Sequence, residues 1–257
     1  MMGPFIALTL NGFREARRNR VTLIVALFAL SLLLSSSLVV EVTVGVFDRV
    51  LTDMGLGSMS LMLVLLTIFL SSGLISREIE RRTIFLMVSK PLSRGAFLVG
   101  RLFGNMLTVT VLLLAMAALF FLLMVFYGVP ITPAHVAAVG MLWFELWVLS
   151  GVGFLMSSFS QHQTVSAFVT VSLYAAGNLS SDIYSLARKS KSDALQALGE
   201  AVYYVLPNLA RFNYRPQASY AAAISSSQLL SDMAYGAAYT AVLVSLAVLL
   251  FNRRDFR

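Results

Sequence analysis

The sequence predicts an all-α integral membrane protein. It should have six transmembrane helices, an N-terminal interfacial helix, a short cytoplasmic helix between the second and third spans, and a small extracytoplasmic helical cap. Three observations predict this. Of 257 residues, 58% are hydrophobic and only 12% charged, against about a quarter charged in an ordinary soluble domain. The charges fall in blocks that leave uncharged runs of 20 residues between Arg20 and Glu41, 23 between Asp53 and Arg77, 43 between Arg101 and Glu145, 36 between Glu145 and Asp182, and 20 between Asp232 and Arg253. Each run reaches the roughly 20 apolar residues a helix needs to cross a bilayer. Finally, the net charge of +7 is unevenly placed: in a six-span topology thirteen of the nineteen basic residues share the side of the two termini, and the positive-inside bias makes that side cytoplasmic.

The elements follow in order. In residues 1–20, Ile6, Leu10 and Phe13 recur at i, i+4 and i+7, and Arg14, Arg17, Arg18 and Arg20 close the segment. Such a helix lies in the interface, apolar face in the acyl boundary and arginines toward anionic headgroups. The first span is 21–40. Its apolar run is too long for a cleavable signal and has no small-residue cleavage pattern after it, so it reads as a retained helix. The second span, 54–76, opens with Gly55 and Gly57 and ends in Ser71, Ser72 and Gly73, small residues that let membrane helices pack closely. The 43-residue uncharged stretch exceeds one helix, and Gly128, Pro130 and Pro133 divide it. This yields a third span at 102–127 and a fourth at 136–159, the latter carrying Trp143, Glu145 and Trp147. The polar turn Ser157–Gln163 precedes a short fifth span, 164–181, and the last span is 233–252.

The outer loop, 182–232, carries Leu195, Leu198, Val202 and Val205 at helical spacing up to Pro207, which predicts an amphipathic helix with Tyr203 and Tyr204 at the interface. A second, Ala-rich helix is expected over Ser219–Leu230. The triplet Asn178-Leu-Ser180 matches the glycosylation pattern but sits at a membrane edge and is discounted.

Much chemistry is excluded. With no cysteine there is no disulfide, thiolate nucleophile, iron-sulfur ligation or Cys-bearing zinc site. His135 and His162 fall at apolar edges on opposite sides of the membrane, so no metal pair forms. The three lysines, Lys90, Lys189 and Lys191, follow Ser89, Arg188 and Ser190 rather than the Gly of a phosphate-binding loop. No Gly-x-Ser nucleophile elbow occurs. No catalytic residue, metal site or nucleic-acid face is read in the chain.

Two features carry function. The first is the cytoplasmic connection Arg77–Arg101, in which five of the first six residues are charged, with both signs present, while Ile84–Val88 is wholly apolar. A helix of that design presses its apolar end on the bundle and offers Glu78, Glu80, Arg81 and Arg82 to a cytoplasmic partner. Pro91 turns the chain, and Ser93 can cap the run into the third span. The second is Glu145, nine residues beyond Val136 and so about 13 Å into the membrane at 1.5 Å per residue. A charged side chain there costs roughly 2.5–3.5 kcal/mol on insertion scales, so it faces the bundle or a watery path, or is protonated. No Lys or Arg lies inside any predicted span. Either Asn105, Thr108 or Thr170 hydrogen-bonds the carboxyl in a structural role, or Glu145 lines a translocation path and steers a cationic group.

The string Ile75-Ser-Arg-Glu-Ile-Glu-Arg-Arg-Thr-Ile, with Ser89-Lys-Pro-Leu-Ser-Arg and Gly100-Arg-Leu, resembles the segment between the second and third spans of type-2 ATP-binding-cassette (ABC) permeases. It is especially similar to the branch that includes the copper-enzyme-maturation exporter permease. Leu206-Pro-Asn-Leu-Ala-Arg-Phe-Asn213 and Phe251-Asn-Arg-Arg-Asp-Phe256 are further echoes, and Arg82 departs from the family, which often carries Gly there. The resemblance covers 1–257 as a single transmembrane permease domain. It implies an exporter subunit in the bacterial cytoplasmic (inner) membrane, multi-pass, with both termini cytoplasmic. Two copies of a separate cytoplasmic ABC ATPase and a second permease, identical or not, would complete the transporter. ATP and Mg would bind in the ATPase, and this chain would bind no cofactor and be no enzyme. Glu78, Glu80, Arg81, Arg82 and Thr83 would form the ATPase-coupling helix, braced by the arginine-rich interfacial helix at the lipid surface. The alternative, an ion-coupled secondary transporter with Glu145 as proton site, calls for related halves with interrupted spans, a pattern the sequence lacks.

Overall fold

A computed structural model of the chain describes residues 21–42, 46–75, 94–160, 162–190 and 192–252. All regular structure among the described residues is helical: α1 (Val21–Val42), α2 (Phe47–Ser72), α3 (Arg94–Phe126), α4 (Pro133–Phe159), α5 (Gln163–Lys189), α6 (Asp193–Val205), a 3-10 turn (Leu209–Phe212), α7 (Arg215–Ser219) and α8 (Ser226–Asn252). The interfacial helix with Arg14, Arg17, Arg18 and Arg20 lies outside the described residues. So do the coupling residues Glu78, Glu80, Arg81, Arg82 and Thr83, and the motif after Asn252.

Among the described residues four helices are long and apolar enough to cross a membrane: Phe47–Ser72, Gly95–Phe126, Pro133–Phe159 and Ser226–Phe251. In α1 the apolar stretch is Leu23–Leu34. α5 has comparable length, but Gln163, Thr164, Ser166, Thr170, Ser172, Asn178 and Ser180 make it more polar. The surface suits lipid rather than water: Phe126 is 79% exposed and Phe168 73%, whereas helix hydroxyls are bonded to their own helices. Thr110 donates to the Met106 carbonyl at 2.8 Å, Thr170 to Ser166 at 2.6 Å and Thr240 to Gly236 at 2.8 Å. Away from water such back-bonding satisfies groups that would otherwise cost several kcal/mol each.

The helices outrun the spans that hydropathy marks. α2 begins at Phe47 and α3 at Arg94, while α5 continues to Lys189. Apolar composition measures the hydrocarbon crossing, and a helix continues beyond it while its backbone bonds are made. The predicted break between the third and fourth spans is present. Gly128 adopts φ +72°, and α4 starts with Pro133 at its first position after Thr132. There the Thr132 N–H donates to His135 Nδ1 at 3.1 Å, so Nε2 carries the proton and donates to Thr52 Oγ1 at 3.2 Å. His135 thus pins the start of α4 to α2. Of the helix expected over Ser219–Leu230 only the ends are helical, Ser219 closing α7 and Ser226–Leu230 forming the first turn of α8; Ala221 takes φ +48° and breaks the chain between them, since alanine propensity is too weak to carry a helix through a left-handed residue.

α4 is the hub and packs on α2, α3, α5 and α8. Its glycines allow this. A Cβ on Gly153 would collide with the Ser71 side chain of α2, and one on Gly151 would press Leu243 of α8 at 3.1 Å. Gly55 of α2 lies against the Phe120 ring of α3, as the small residues of the second span suggest. A separate small core gathers Ile75, Leu98, Leu102, Phe154, Ala247 and Phe251, and the Ile75 N–H donates to Ser157 Oγ at 3.0 Å. Both ends of the charged connection, Ile75 just before it and Leu98 and Leu102 at its far end, are therefore clamped to α4 and α8.

Candidate functional site

The outer segment is only partly a cap. α6 folds back along α5: Gly199 seats on Ala187, the Tyr184 and Tyr203 rings stack at 4.7 Å, and the Arg188 guanidinium lies 5.5 Å over Tyr184. Beyond α6 the chain turns into the bundle. The Val205 carbonyl accepts from Tyr239 at 2.8 Å, and the Asn208 N–H donates to Tyr235 Oη at 2.9 Å. A Cβ on Gly177 would stand 2.6 Å from the Pro207 carbonyl, and one on Gly236 would stand 3.0 Å from the Phe212 ring. Gly177 and Tyr239 lie about midway along α5 and α8. Leu209, Phe212, Tyr214 and Ala218 are each no more than 3% exposed. The segment from Leu206 to Ser219 is thus enclosed by α5, α8 and the rest of the bundle.

Polar contacts tether it. Arg211 Nε pairs with Asp232 Oδ1 at 3.0 Å, Tyr214 donates to Asp232 Oδ2 at 2.9 Å, and Ser219 donates to Asp53. Burial, reinforced by the bond to Asp232, pushes the Tyr214 phenol up to about 12. A raised acid favours the protonated fold, so this contribution persists below the ordinary tyrosine range near 10 and fades only as pH climbs from about 10 to about 12. Because Arg211 is 41% exposed, its pairing contributes modestly, and the larger share lies in the buried phenol. Asp232→Ala strands that phenol at a cost of about 2 kcal/mol, a fall of roughly 4–8 °C in melting temperature. Asp232→Asn keeps an acceptor and should lose less than half as much. Thermal unfolding of both variants in detergent checks this ordering.

Against this segment lies Glu145, twelve residues into α4 and fourteen from its end, 5% exposed. Tyr174 of α5 and the Arg215 guanidinium are both near enough to act on its carboxylate. Arg215 Nη2 in turn donates to Ser60 Oγ of α2 at 3.2 Å. Ser60, Glu145 and Arg215 line a common cavity of about 10 Å³ with Leu56, Ala138, Leu142, Phe212, Asn213 and Tyr214, roughly the room one water requires.

The partners expected from sequence are not those used. Thr108 and Thr170 donate to Gly104 and Ser166 of their own helices, and Asn105 Nδ2 has no hydrogen-bond partner. A helix offers its hydroxyls a carbonyl one turn back, and that local bond wins over a distant carboxyl. Tyr174 and Arg215 were missed because neither lies on a periodic stripe that points to α4. The one available signal was the motif Leu206–Asn213, which leads directly into Arg215. Among the described residues no group of three or more His, Asp or Glu gathers as a metal site, and Asn178 donates to the Tyr174 carbonyl at 3.1 Å inside α5.

The family model for ABC-2 family transporter proteins matches residues 6–256. A search of curated proteins gives no match.

Proposed function

Because the chain belongs to the ABC-2 family of transporter proteins, we propose that it is the permease subunit of an ATP-driven exporter. Membership makes it a multi-pass membrane component of a transport system, not its catalyst, and implies an ABC ATPase partner in general terms. We carry the reading further on physical grounds. The six-span arrangement, 21–40, 54–76, 102–127, 136–159, 164–181 and 233–252, puts both termini and the charged connection on the cytoplasmic side. Glu78, Glu80, Arg81, Arg82 and Thr83 then dock on the ATPase, with Arg14, Arg17, Arg18 and Arg20 bracing them at the inner-membrane surface. Two ATPase copies hold ATP and Mg, and a second permease completes the path.

The observation that carries the reading is the clamp at both roots of the connection. Ile75, Leu98 and Leu102 share one small core with Phe154 and Phe251, so a push on the charged segment is transmitted to α4 and α8 together. Closure of two ATPases needs such a stiff joint to move a substrate path. The test is purification of the tagged chain from its native membrane in mild detergent with its partners. A stoichiometric ABC ATPase and vanadate-sensitive ATP hydrolysis are expected; a lone, stable chain without ATPase overturns the proposal.

Glu145 lines the path in this reading. Glu145→Gln should lower transport by the assembled complex about tenfold, the effect of roughly 1.4 kcal/mol, with assembly unchanged. Wild-type transport by the folded variant removes Glu145 from the path.

A further inference from the structure

We propose that Glu145, Tyr174 and Ser60 form a cation site within the helix bundle, and that Arg215 of the enclosed segment Leu206 to Ser219 occupies it as a tethered counter-ion that holds the segment in place. Glu145 supplies the anion at the middle of α4, almost wholly buried. Tyr174 stands beside the carboxylate, and Ser60, near the middle of α2 and lining the same cavity as Glu145 and Arg215, accepts a guanidinium hydrogen bond at 3.2 Å. The walls are apolar: Leu56, Ala138, Leu142 and Phe212. A planar cation with several donors suits a site with one carboxylate and a hydroxyl acceptor.

The guanidinium does not come from a span. It hangs from α7, whose chain is fixed on its outer side by Ser219 to Asp53 and, through Tyr214 and Arg211, to Asp232. Docking the segment therefore brings a counter-charge to the cavity that Glu145 lines, and withdrawing it leaves a buried carboxylate without one, a disfavoured state. Charge at the centre and apolar packing of Leu209 and Phe212 around it thus hold one element. The proposal shares Glu145 with the transport reading but does not rest on it, and its readouts need no transport, so failure of one leaves the other standing.

The chain lacks cysteine, which makes a single reporter clean. Ala218 is 2% exposed, and Ala218→Cys in the full chain, purified in detergent, gives a thiol whose reaction with a charged maleimide reports release of the segment. Glu145→Gln or Arg215→Gln in that background should each speed labelling at least about tenfold. The pair Glu145→Gln/Arg215→Gln, with neither charge left, should return the rate to within about threefold of the parent. Millimolar ethylguanidinium should slow labelling of Arg215→Ala, and should leave Glu145→Gln/Arg215→Ala unaffected. Additive effects in the double variant, or an Arg215→Ala protein indifferent to ethylguanidinium, overturn the site. Should the single variants fail to fold, recovery of folded yield in the neutral pair supports it, and absence of recovery overturns it.

Discussion

Reversing two charges, Glu78→Lys and Glu80→Lys, is expected to abolish co-purification of the ATPase while the permease still inserts and folds. The substitutions convert the block Arg77–Arg82 from mixed sign to uniformly positive over its five charged positions. A surface that docks by charge complementarity loses its own contacts and gains like-charge repulsion wherever the partner presents cations, which costs several kcal/mol. A hundredfold loss of affinity needs only about 2.7 kcal/mol. Insertion should survive because two added lysines strengthen the cytoplasmic positive bias. Folding should survive because the roots at Ile75 and Leu98 are untouched. The measurement is the ATPase-to-permease ratio after affinity purification, beside membrane yield and melting temperature. An undiminished ratio would remove these residues from the coupling surface.

The second large effect concerns the α2–α4 contact. Gly153→Ala places a methyl against the Ser71 side chain and 3.3 Å from the Ser72 backbone nitrogen. Ser71 is fully buried, with its hydroxyl committed to the Thr67 carbonyl at 2.7 Å, and cannot swing away without losing that bond. Overpacking of this kind costs roughly 1–3 kcal/mol, or about 2–12 °C in melting temperature at this chain size. Ser71→Gly in the same chain removes the obstructing atoms, so the double variant should recover most of the loss. Thermal unfolding of the two singles and the double measures the coupling; independent, additive losses would show that the crowding is relieved elsewhere. The expected consequence extends beyond stability, since Ser71 is four residues from Ile75, the first root of the charged connection.

Much of this was legible in sequence. Uncharged runs bounded by charge located the long apolar helices, since the hydrocarbon core imposes length and composition together. Gly128 and Pro133 marked a true break because both act through the local backbone. Leu195, Leu198, Val202 and Val205 marked α6 for the same reason, their spacing being local. What sequence did not show depends on contacts between distant segments. Nothing in the surroundings of Arg215 states that it lies beneath α4 beside a carboxylate 70 positions earlier. The pairing of Tyr214 with Asp232, and of Ser219 with Asp53, is equally silent in any window. Residues 220–225 were read as helix because the alanines Ala221–Ala223 outweighed the turn that they make.

The two tryptophans of the chain, Trp143 and Trp147, stand one turn apart on α4 with ring centroids 5.5 Å apart. Trp143 donates its indole N–H to Thr110 of α3 at 2.8 Å, Phe103 of α3 lies edge-on to Trp147 at 5.5 Å, and the Trp147 N–H is buried without a hydrogen-bond partner. Near-ultraviolet excitation selects indoles, so the intrinsic emission of this protein originates from a single joint, the one between α3 and α4. α3 is also the helix that emerges from the charged connection. A shift of α3 against α4 would change the polarity around one indole and the ring coupling of the other, so the chain contains its own optical gauge of that joint, readable without a label.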